Sequence, residues 1–556
     1  MSETLTGAQM TVRLLERQGI RIVTGYPGGA ILPIYDALGQ STVIRHVLAR
    51  HEQGAGFIAQ GMARVSGLPA VCLASSGPGA TNLLTAIADA KLDSIPLVAI
   101  TGQVPRGMIG TDAFQEVDTY GLTIPITKHN FLVTSAEELL EVIPRAFQIA
   151  ASGRPGPVLI DIPKDVQTQA IEISHWPEPG GALPAPATIT ELTEQAAALI
   201  NSAARPLLYL GGGVIHSGAS AAAVELAEKS SLPTVMTLMA LGAMPVDHPL
   251  SMGMLGMHGA RYTNLALDEC DLLIAIGARF DDRATGKVAQ FCPNAKIIHI
   301  DIDPAELDKI KTAFIGIQSD VQDALNNLLP AVKQNSRKNW VDRIQTLKNQ
   351  FPMQLPDADN PRSHFGLIRT VAACLDDSAI ITTDVGQHQM WVAQAYPLRR
   401  PRQWLTSGGL GTMGFGVPAA IGAAIAEPER TVVCFTGDGS ILMNIQELVT
   451  AAEENVNVKI ILMNNASLGL VHQQQTLFYG ERLFASQFKA MPDFIKIAQG
   501  CGIQAIDLDQ ASNPCATLME AISRQGPCLI HASIDATQKV YPMVPPGAAN
   551  RDMIGA

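Results

Sequence analysis

Two apolar runs near the C-terminal third constrain this chain most. Thr431-Val-Val-Cys-Phe-Thr436 ends in Gly437-Asp438-Gly439-Ser440, and Val458-Lys-Ile-Ile-Leu-Met463 ends in Asn464-Asn465. Both runs read as buried strands, and the segment Asn444 to Glu453 between them is expected to be helical. The 27 positions from Asp438 to Asn465 suit a parallel strand–helix–strand crossover, which returns both side chains to one sheet edge. A Gly-Asp-Gly turn lets backbone amides approach a diphosphate, while Asp438 and Asn465 offer hard oxygens to one divalent ion. Singly, each motif is an ordinary turn or loop. Together, at this spacing, they read as a Mg-diphosphate clamp.

The same alternation of strands and helices runs through the chain and predicts an α/β protein of three doubly wound parallel-sheet domains. Residues 5–168 contain the strands Arg21–Thr24, Ala70–Ala74, Leu97–Ile100 and Val158–Asp161. A Pro, Gly and Ala-rich stretch, Trp176 to Ile189, reads as a linker. The second unit, 190–330, carries Pro206–Leu210, Leu272–Ile276 and Lys296–Ile300. Polar sequence from Gln334 to Arg362 reads as a second linker holding one helix, the third unit spans 363–534, and 535–556 form a tail.

Composition narrows the classes of function. A length of 556 residues suits about three or four domains. With 47% hydrophobic and only 16% charged residues, surface is expected to be covered by other domains or subunits. A net charge of -12 without a polybasic patch argues against nucleic acid and anionic membranes as partners. No run of about 18 uncharged apolar residues occurs, and the first twenty residues lack a signal peptide's apolar core. Eight scattered cysteines with no Cys-x-x-Cys pair fit buried free thiols, so a cytoplasmic location is expected.

Glycine-rich loops follow several strands. Tyr26-Pro27-Gly28-Gly29 and Arg50-His51-Glu52-Gln53-Gly54 lie in the first unit, where Glu52 is either a first-turn helix charge or a carboxyl kept for acid-base work. Ser75 to Asn82 reads as the cap of a helix beginning near Leu83. The middle unit has Gly211-Gly212-Gly213, Gly256 to Gly259, Gly277 to Arg283 and Asp301-Ile302-Asp303, but no Gly-x-Gly-x-x-Gly. Glycines and acids at strand ends could still hold an adenine nucleotide. In the third unit, Thr383 to His388 and Gly408 to Gly416 are tight loops that would let backbone approach a cofactor closely. Arg283 suits bidentate grip of a carboxylate, or a salt bridge to Asp281 or Asp282.

The spacing from Gly-Asp-Gly-Ser to Asn-Asn resembles the thiamine-diphosphate signature. The stretches Gly-Tyr-Pro-Gly-Gly-Ala, His-Glu-Gln-Gly-Ala, Ile-Gly-Thr-Asp-Ala-Phe-Gln-Glu, Gly-Ala-Arg-Phe-Asp-Asp-Arg and Gly-Gln-His-Gln-Met-Trp resemble acetohydroxyacid synthase (acetolactate synthase) catalytic subunits over nearly the whole chain, most closely the enterobacterial isozyme I type. The resemblance implies pyrimidine-binding, central FAD-binding and diphosphate-binding domains in that order. It implies decarboxylation of pyruvate on thiamine diphosphate and ligation of the two-carbon unit to a second pyruvate or to 2-ketobutyrate, giving acetolactate or acetohydroxybutyrate. These are first common steps of branched-chain amino acid synthesis. Glu52 would activate the aminopyrimidine by a hydrogen bond to its ring nitrogen. Pro78, Gly386, Gln387, His388, Gly411, Met413, Asp438, Gly439, Ser440 and Leu470 would also contact thiamine diphosphate. Mg would be held by Asp438, Asn465 and the main-chain oxygen of Ser467. Gly29, Gln103, Lys128 and Arg283 would border the reaction centre. FAD, with no net redox role, would lie against Arg154, Gly211 to Gly213, Thr237, Leu238, Met257, His258, Gly277, Ala278, Arg279, Asp281, Arg283, Asp301, Ile302, Asp320 and Val321. A homodimer, in which Glu52 of one subunit meets Asp438 of the other, and a small regulatory subunit are also implied.

One departure bears on specificity. Many relatives carry Gln-Trp-Gln soon after the Asn-Asn pair, where this chain has Gln473-Gln474-Gln475. Without the tryptophan contact to the extra methyl of 2-ketobutyrate, little preference for that substrate is expected. Pyruvate oxidase, glyoxylate carboligase and 2-keto-acid decarboxylase share the architecture. Glu52 counts against the carboligase, which lacks that glutamate, and Gly-Ala-Arg-Phe-Asp-Asp-Arg counts against the oxidase. A noncatalytic nucleotide-binding protein would have no need of Glu52, Asp438 and Asn465 together.

Overall fold

In the computed structural model, residues 3–555 are described. They form three six-stranded sheets, each wholly parallel, and one small antiparallel pair, Glu3–Thr6 with Ala170–Ile173. The central strands are near-continuous apolar runs because helices cover both faces; Ala70–Ala74, Leu97–Gln103 and Pro157–Pro163 are buried throughout.

The first and third sheets share one topology. Across the first sheet the order is Arg45–Leu48, Ile22–Gly25, Ala70–Ala74, Leu97–Gln103, Pro157–Pro163, His129–Leu132. Across the third it is Trp404–Leu405, Ile380–Thr383, Val432–Gly437, Val458–Asn464, Cys528–Ser533, Gln504–Asp507. In chain order both read 2-1-3-4-6-5. The middle sheet, Ser251–Met254, Thr234–Met236, Pro206–Leu210, Leu272–Ile276, Lys296–Asp301, Ile315–Gln318, reads 3-2-1-4-5-6, the order of dinucleotide-binding folds.

Helix Glu52–Ser66 of the first domain lies on helix Gly416–Ala426 of the third. Their small residues bring backbone against backbone: a Cβ on Gly61 would stand 2.1 Å from the Ala419 carbonyl oxygen, and one on Gly422 1.9 Å from that of Ile58. Ala49, Ala55 and Ile58 accordingly share one core with Leu405, Val417 and Ile421. Beside this contact, buried Arg64 donates to Asp89 (3.2 Å), Asp93 (2.8 Å), Gln60 (2.9 Å) and the Thr406 carbonyl (3.0 Å). The two aspartates in turn hold the third domain's loop: Asp93 accepts from Gly408 and Gly409 N–H, and Asp89 accepts from the Ser407 and Thr412 hydroxyls. Arg402 ties the middle domain in, reaching the carbonyls of Arg64 and Ile215.

Several expectations need correction. The helix expected from near Leu83 begins at Pro78, because proline suits the first helical position, where no N–H partner is needed. The helix expected over Asn444 to Glu453 is Glu447–Glu453, preceded by a single turn, Asp438–Ile441. Helix Lys338–Gln350, inside the expected linker, packs on the middle domain through Trp340, whose indole donates to the Pro206 carbonyl at 2.9 Å. The tail folds back: Val544 N–H donates to the Met257 carbonyl and the Asn550 amide to that of Ala284.

Candidate functional site

The topology decides where chemistry can gather. In doubly wound sheets ligands bind beyond the strand C-termini, where strand order reverses. In the first sheet that point lies between Ile22–Gly25 and Ala70–Ala74, so its loops are Tyr26 to Gly29 and Ser75 to Pro78. In the third sheet it lies between Ile380–Thr383 and Val432–Gly437, followed by Asp384 to His388 and by Asp438 to Ser440. Gly29 and Pro78 thus occupy in the first sheet the positions that Gly386 to His388 and Asp438 occupy in the third, while Glu52 follows the neighbouring strand Arg45–Leu48 and Asn465 follows Val458–Asn464.

The metal candidates come together. Asp438 is buried, and one carboxylate oxygen accepts Gly439 N–H at 2.7 Å while the other accepts from Asn465 N–H (3.1 Å) and Ser467 N–H (3.2 Å). Burial pushes its carboxyl upward, opposed by these amides. The Asn465 amide nitrogen donates to Gln387 at 3.0 Å, which turns its Oδ1 toward Ser467, whose hydroxyl donates to it at 3.1 Å. Two hard oxygens on adjoining loops, tied together through the Asp438 carboxylate, fit a small divalent cation with water or phosphate completing the shell. Met413 extends over the turn, with Cε 3.5 Å from where a Gly439 Cβ would be. His388 is buried, its Nε2 has no partner, and burial holds its pKa down to about 3. An orphaned neutral imidazole nitrogen beside a Gly-Asp-Gly turn fits a diphosphate or aminopyrimidine partner.

Glu52 opens its helix, with the His51 Nδ1 capping Gln53 N–H at 3.1 Å. Its carboxylate is half-buried and accepts a hydrogen bond from Asn82 Nδ2 at 2.9 Å, while its other oxygen borders Gly79, next to Pro78. Gly29 is exposed with open space around its α-carbon. No hydrogen bond joins Glu52 to Asp438 or Asn465 within the chain, among the described residues.

Every flavin candidate from Arg154 to Val321 lines one cavity of about 940 Å³. It opens at the middle sheet's reversal point, between Pro206–Leu210 and Leu272–Ile276. There the glycines do what a fingerprint would do: a Cβ on Gly211 would stand 2.0 Å from the Gly277 oxygen. The Thr237 hydroxyl is buried without a partner, and Asp301, raised by burial to about 6, accepts from Asp303 N–H. A chamber of this volume, at the upper end of ordinary ligand pockets, with backbone-close glycines, fits an extended dinucleotide. Its far wall is the third domain's Ser407 to Gly411 and Leu470, so it adjoins the loop of Met413 and the loop after Asn465. Gln474 lines it as well, exposed on helix Gly469–Phe478.

Other candidates have internal partners. Gln103 is buried; its amide nitrogen donates to Asp161 (2.9 Å) and to the Val117 carbonyl (3.0 Å), and its oxygen accepts from Val104 N–H. Lys128 donates to the carbonyls of Ile149 and Ser152, closing the C-terminus of helix Leu139–Ala151, and burial lowers it to about 8. Arg154 pairs with Asp303 and Glu306. Arg283 is exposed where it lines the cavity, 3.7 Å from Asp282, with its guanidinium 3.8 Å from the Met257 sulfur.

Sequence reasoning missed four features. Asp384, fully buried and raised to about 6, receives the N–H groups of Gly414 and Gly416 and so fixes the loop of Met413. Glu447 and the Asp89–Asp93 pair sit in helices whose polar residues look like surface. Gln115 adopts a left-handed backbone (φ 59°) and presses its carbonyl on the Gly77 loop beside Pro78; its motif was visible, its role was not.

Comparison with known proteins fits this geometry. Three family descriptions match in sequence: "Thiamine pyrophosphate enzyme, N-terminal TPP binding domain" over 5–122, "central domain" over 193–328, and "C-terminal TPP binding domain" over 384–532. The chain is 66% identical over 550 residues to the acetolactate synthase isozyme 1 large subunit of Escherichia coli K12, covering 99% of this chain and 98% of that protein. It is 47% identical to the isozyme 2 large subunit of the same organism, covering 99% of each chain. It is also 47% identical to the acetolactate synthase large subunit of Corynebacterium glutamicum, covering 99% of this chain and 90% of that one.

Proposed function

Since the chain belongs to the family of acetolactate synthase large subunits, thiamine-diphosphate enzymes of three α/β domains, we propose how its residues divide that reaction. The enzyme decarboxylates pyruvate and ligates the two-carbon unit to a second pyruvate or to 2-ketobutyrate. Bound thiamine diphosphate supplies the nucleophilic carbon and the electron sink for decarboxylation. The observation that carries the reading is a carboxylate at the loop end of each like sheet: the first domain presents Glu52, held by Asn82 of the helix after Ser75 to Gly77, and the third presents Asp438, held by Asn465 N–H.

In this account Asp438, Asn465 and the Ser467 main-chain oxygen hold Mg, and His388 and Gly439 face the diphosphate. Met413, whose loop Asp384 fixes, would support the bound thiamine diphosphate. Glu52 hydrogen-bonds the pyrimidine nitrogen, held laterally by Asn82, and so sets the proton balance on the ring. The middle-domain cavity holds FAD as a structural group without net redox turnover. Arg283 grips the second substrate's carboxylate, and Gly29, Gln103 and Lys128 border the approach. With Gln474 in place of a tryptophan, pyruvate and 2-ketobutyrate compete nearly evenly as second substrate.

The enzyme works as a homodimer whose sites are shared, Glu52 of one subunit meeting Asp438 of the other. Apolar surface supports this: Phe114 is 87% exposed, Phe484 83% and Tyr479 57%. A small regulatory subunit completes the assembly, as the relatives' designation of large subunits suggests. No helix among the described residues is long and apolar enough to cross a membrane, and the eight cysteines are free, which supports a cytoplasmic enzyme.

Mixing inactive Glu52→Ala and Asp438→Ala homodimers under exchange tests the shared site. A two-fold dimer predicts activity regained to roughly a quarter of the native value, because half the dimers then carry one intact site. No regain, with exchange verified, means that each chain contains a whole site.

A further inference from the structure

Helix Glu447–Glu453 begins nine residues after Asp438, yet its first side chain serves the other half-site. Glu447 is completely buried. Its Oε1 accepts the Arg50 N–H at 3.0 Å, and its Oε2 accepts the Thr450 hydroxyl at 2.6 Å. The same Oε1 fills the space where Gly54 would carry a Cβ, which would stand 2.3 Å away. Arg50 and Gly54 lie two residues before and two residues after Glu52. The carboxylate therefore brackets Glu52 along the backbone, while Asn82 holds its side chain from the side.

The contact is reinforced from the same helix. Glu453 pairs with the Arg50 guanidinium, and the following Glu454 pairs with Arg45. These outer pairs are partly exposed and worth little individually. Glu447 differs, because a buried carboxylate with two donors in fixed places resists displacement more than a surface pair does. It also faces the helix N-terminus, whose partial positive charge favours an acceptor there.

We propose that Glu447 is a positioning residue for Glu52: it fixes the N-terminus of helix Glu52–Ser66 so that the Glu52 carboxylate meets the aminopyrimidine in register. This rests on the reading that Glu52 activates the bound pyrimidine. It also makes the third domain of each chain hold the Glu52 that serves the opposite site.

The test measures exchange of the thiazolium C2 proton of bound thiamine diphosphate with deuterium, by quenched proton NMR on the intact dimer, beside cofactor titration. Misplacement by about 1 Å can cost about a hundredfold, so Glu447→Ala is expected to slow exchange by roughly ten- to a hundredfold, with cofactor affinity within about threefold. Glu447→Gln keeps an acceptor for Arg50 N–H and can donate to the Thr450 oxygen, so exchange is expected within about threefold of native. In cofactor-free protein, backbone amides of residues 50–54 are expected to exchange faster in Glu447→Ala than in the native chain or Glu447→Gln.

Native-rate C2 exchange in Glu447→Ala, with Glu52→Ala slowed, overturns the proposal. Equal impairment of Glu447→Gln and Glu447→Ala also overturns it, because charge rather than placement would then matter. Native-rate exchange in Glu52→Ala overturns the underlying reading of Glu52 instead. If Glu447→Ala fails to fold, Gly54→Ala replaces it, since its Cβ displaces the carboxylate with Glu447 still present. Slowed exchange there supports the proposal, and native exchange overturns it.

Discussion

Arg64→Met removes the cation that faces Asp89 and Asp93 at the joint between the first and third domains. The guanidinium is 5% exposed, contacts both Asp89 and Asp93, and stacks 4.8 Å over the Phe415 ring. Methionine keeps much of the apolar stem but leaves two buried carboxylates facing each other. Breaking a buried pair by removing one partner costs about 3–5 kcal/mol, and losing the ring contact about 1 kcal/mol more. At roughly 2–4 °C per kcal/mol for a unit of this size, the first thermal transition should fall by roughly 8–24 °C at pH 8. The pH dependence gives the signature. Burial and the neighbouring Asp93 charge already push Asp89 upward, and only Arg64 and the hydroxyl donors oppose them. Without the arginine the carboxyl rises further, so its contribution to stability, present when protonated, is lost as pH increases through the folded-state value. The deficit should therefore shrink from pH 8 to pH 5.5. Scanning calorimetry at the two pH values, on native and variant protein, measures it. A variant within about 2 °C of native at pH 8, or a deficit that grows on acidification, would refute the reasoning. If the cavity holds flavin as proposed, the same variant should retain less of it, because Ser407 to Gly409 bond Asp89 and Asp93 and also form the cavity's wall.

Three further outcomes follow from particular contacts. Gly211→Ala drives a Cβ to 2.0 Å from the Gly277 oxygen, so the purified variant should lose flavin absorbance; native flavin content would contradict the assignment of the cavity. Burial raises Asp161 to about 7, so its stabilising contribution is present in acid and lost as pH rises through that value. Asp161→Asn keeps partners for Gln103 and Thr101 without the charge; relative to native, its stability should gain by at most about 4 kcal/mol between pH 4 and pH 8, read by the shift in unfolding midpoint. Gln474→Trp restores an aromatic contact for one methyl group and should raise the preference for 2-ketobutyrate over pyruvate about tenfold in a mixed-substrate assay; an unchanged product ratio would exclude Gln474 from the substrate channel.

The buried strands were legible because parallel strands covered on both faces leave long apolar runs, as in Leu272–Ile276 and Val458–Asn464. Edge strands were not: His129–Leu132 and Gln504–Asp507 are short and partly exposed, so their sequences look like loops. The proposed metal loop and the glycine-lined cavity of the middle domain stand out in the sequence because glycines and acids cluster immediately after strands. The cross-domain roles of Arg64, Asp89, Asp93 and Glu447 escaped notice because Thr406, Ser407, Gly408 and Arg50, which they reach, lie hundreds of positions away. A helix such as Pro78–Asp93 shows its acids with the spacing of a solvated face, and only packing reveals them as buried.

Product analysis from pyruvate tests the central claim most directly. The purified chain, supplied with thiamine diphosphate and Mg, is assayed with and without FAD while oxygen is monitored, and acetolactate is detected as acetoin after acid treatment. The account predicts FAD-dependent acetolactate with no oxygen uptake; acetate formed with oxygen uptake, or acetaldehyde alone, would contradict it.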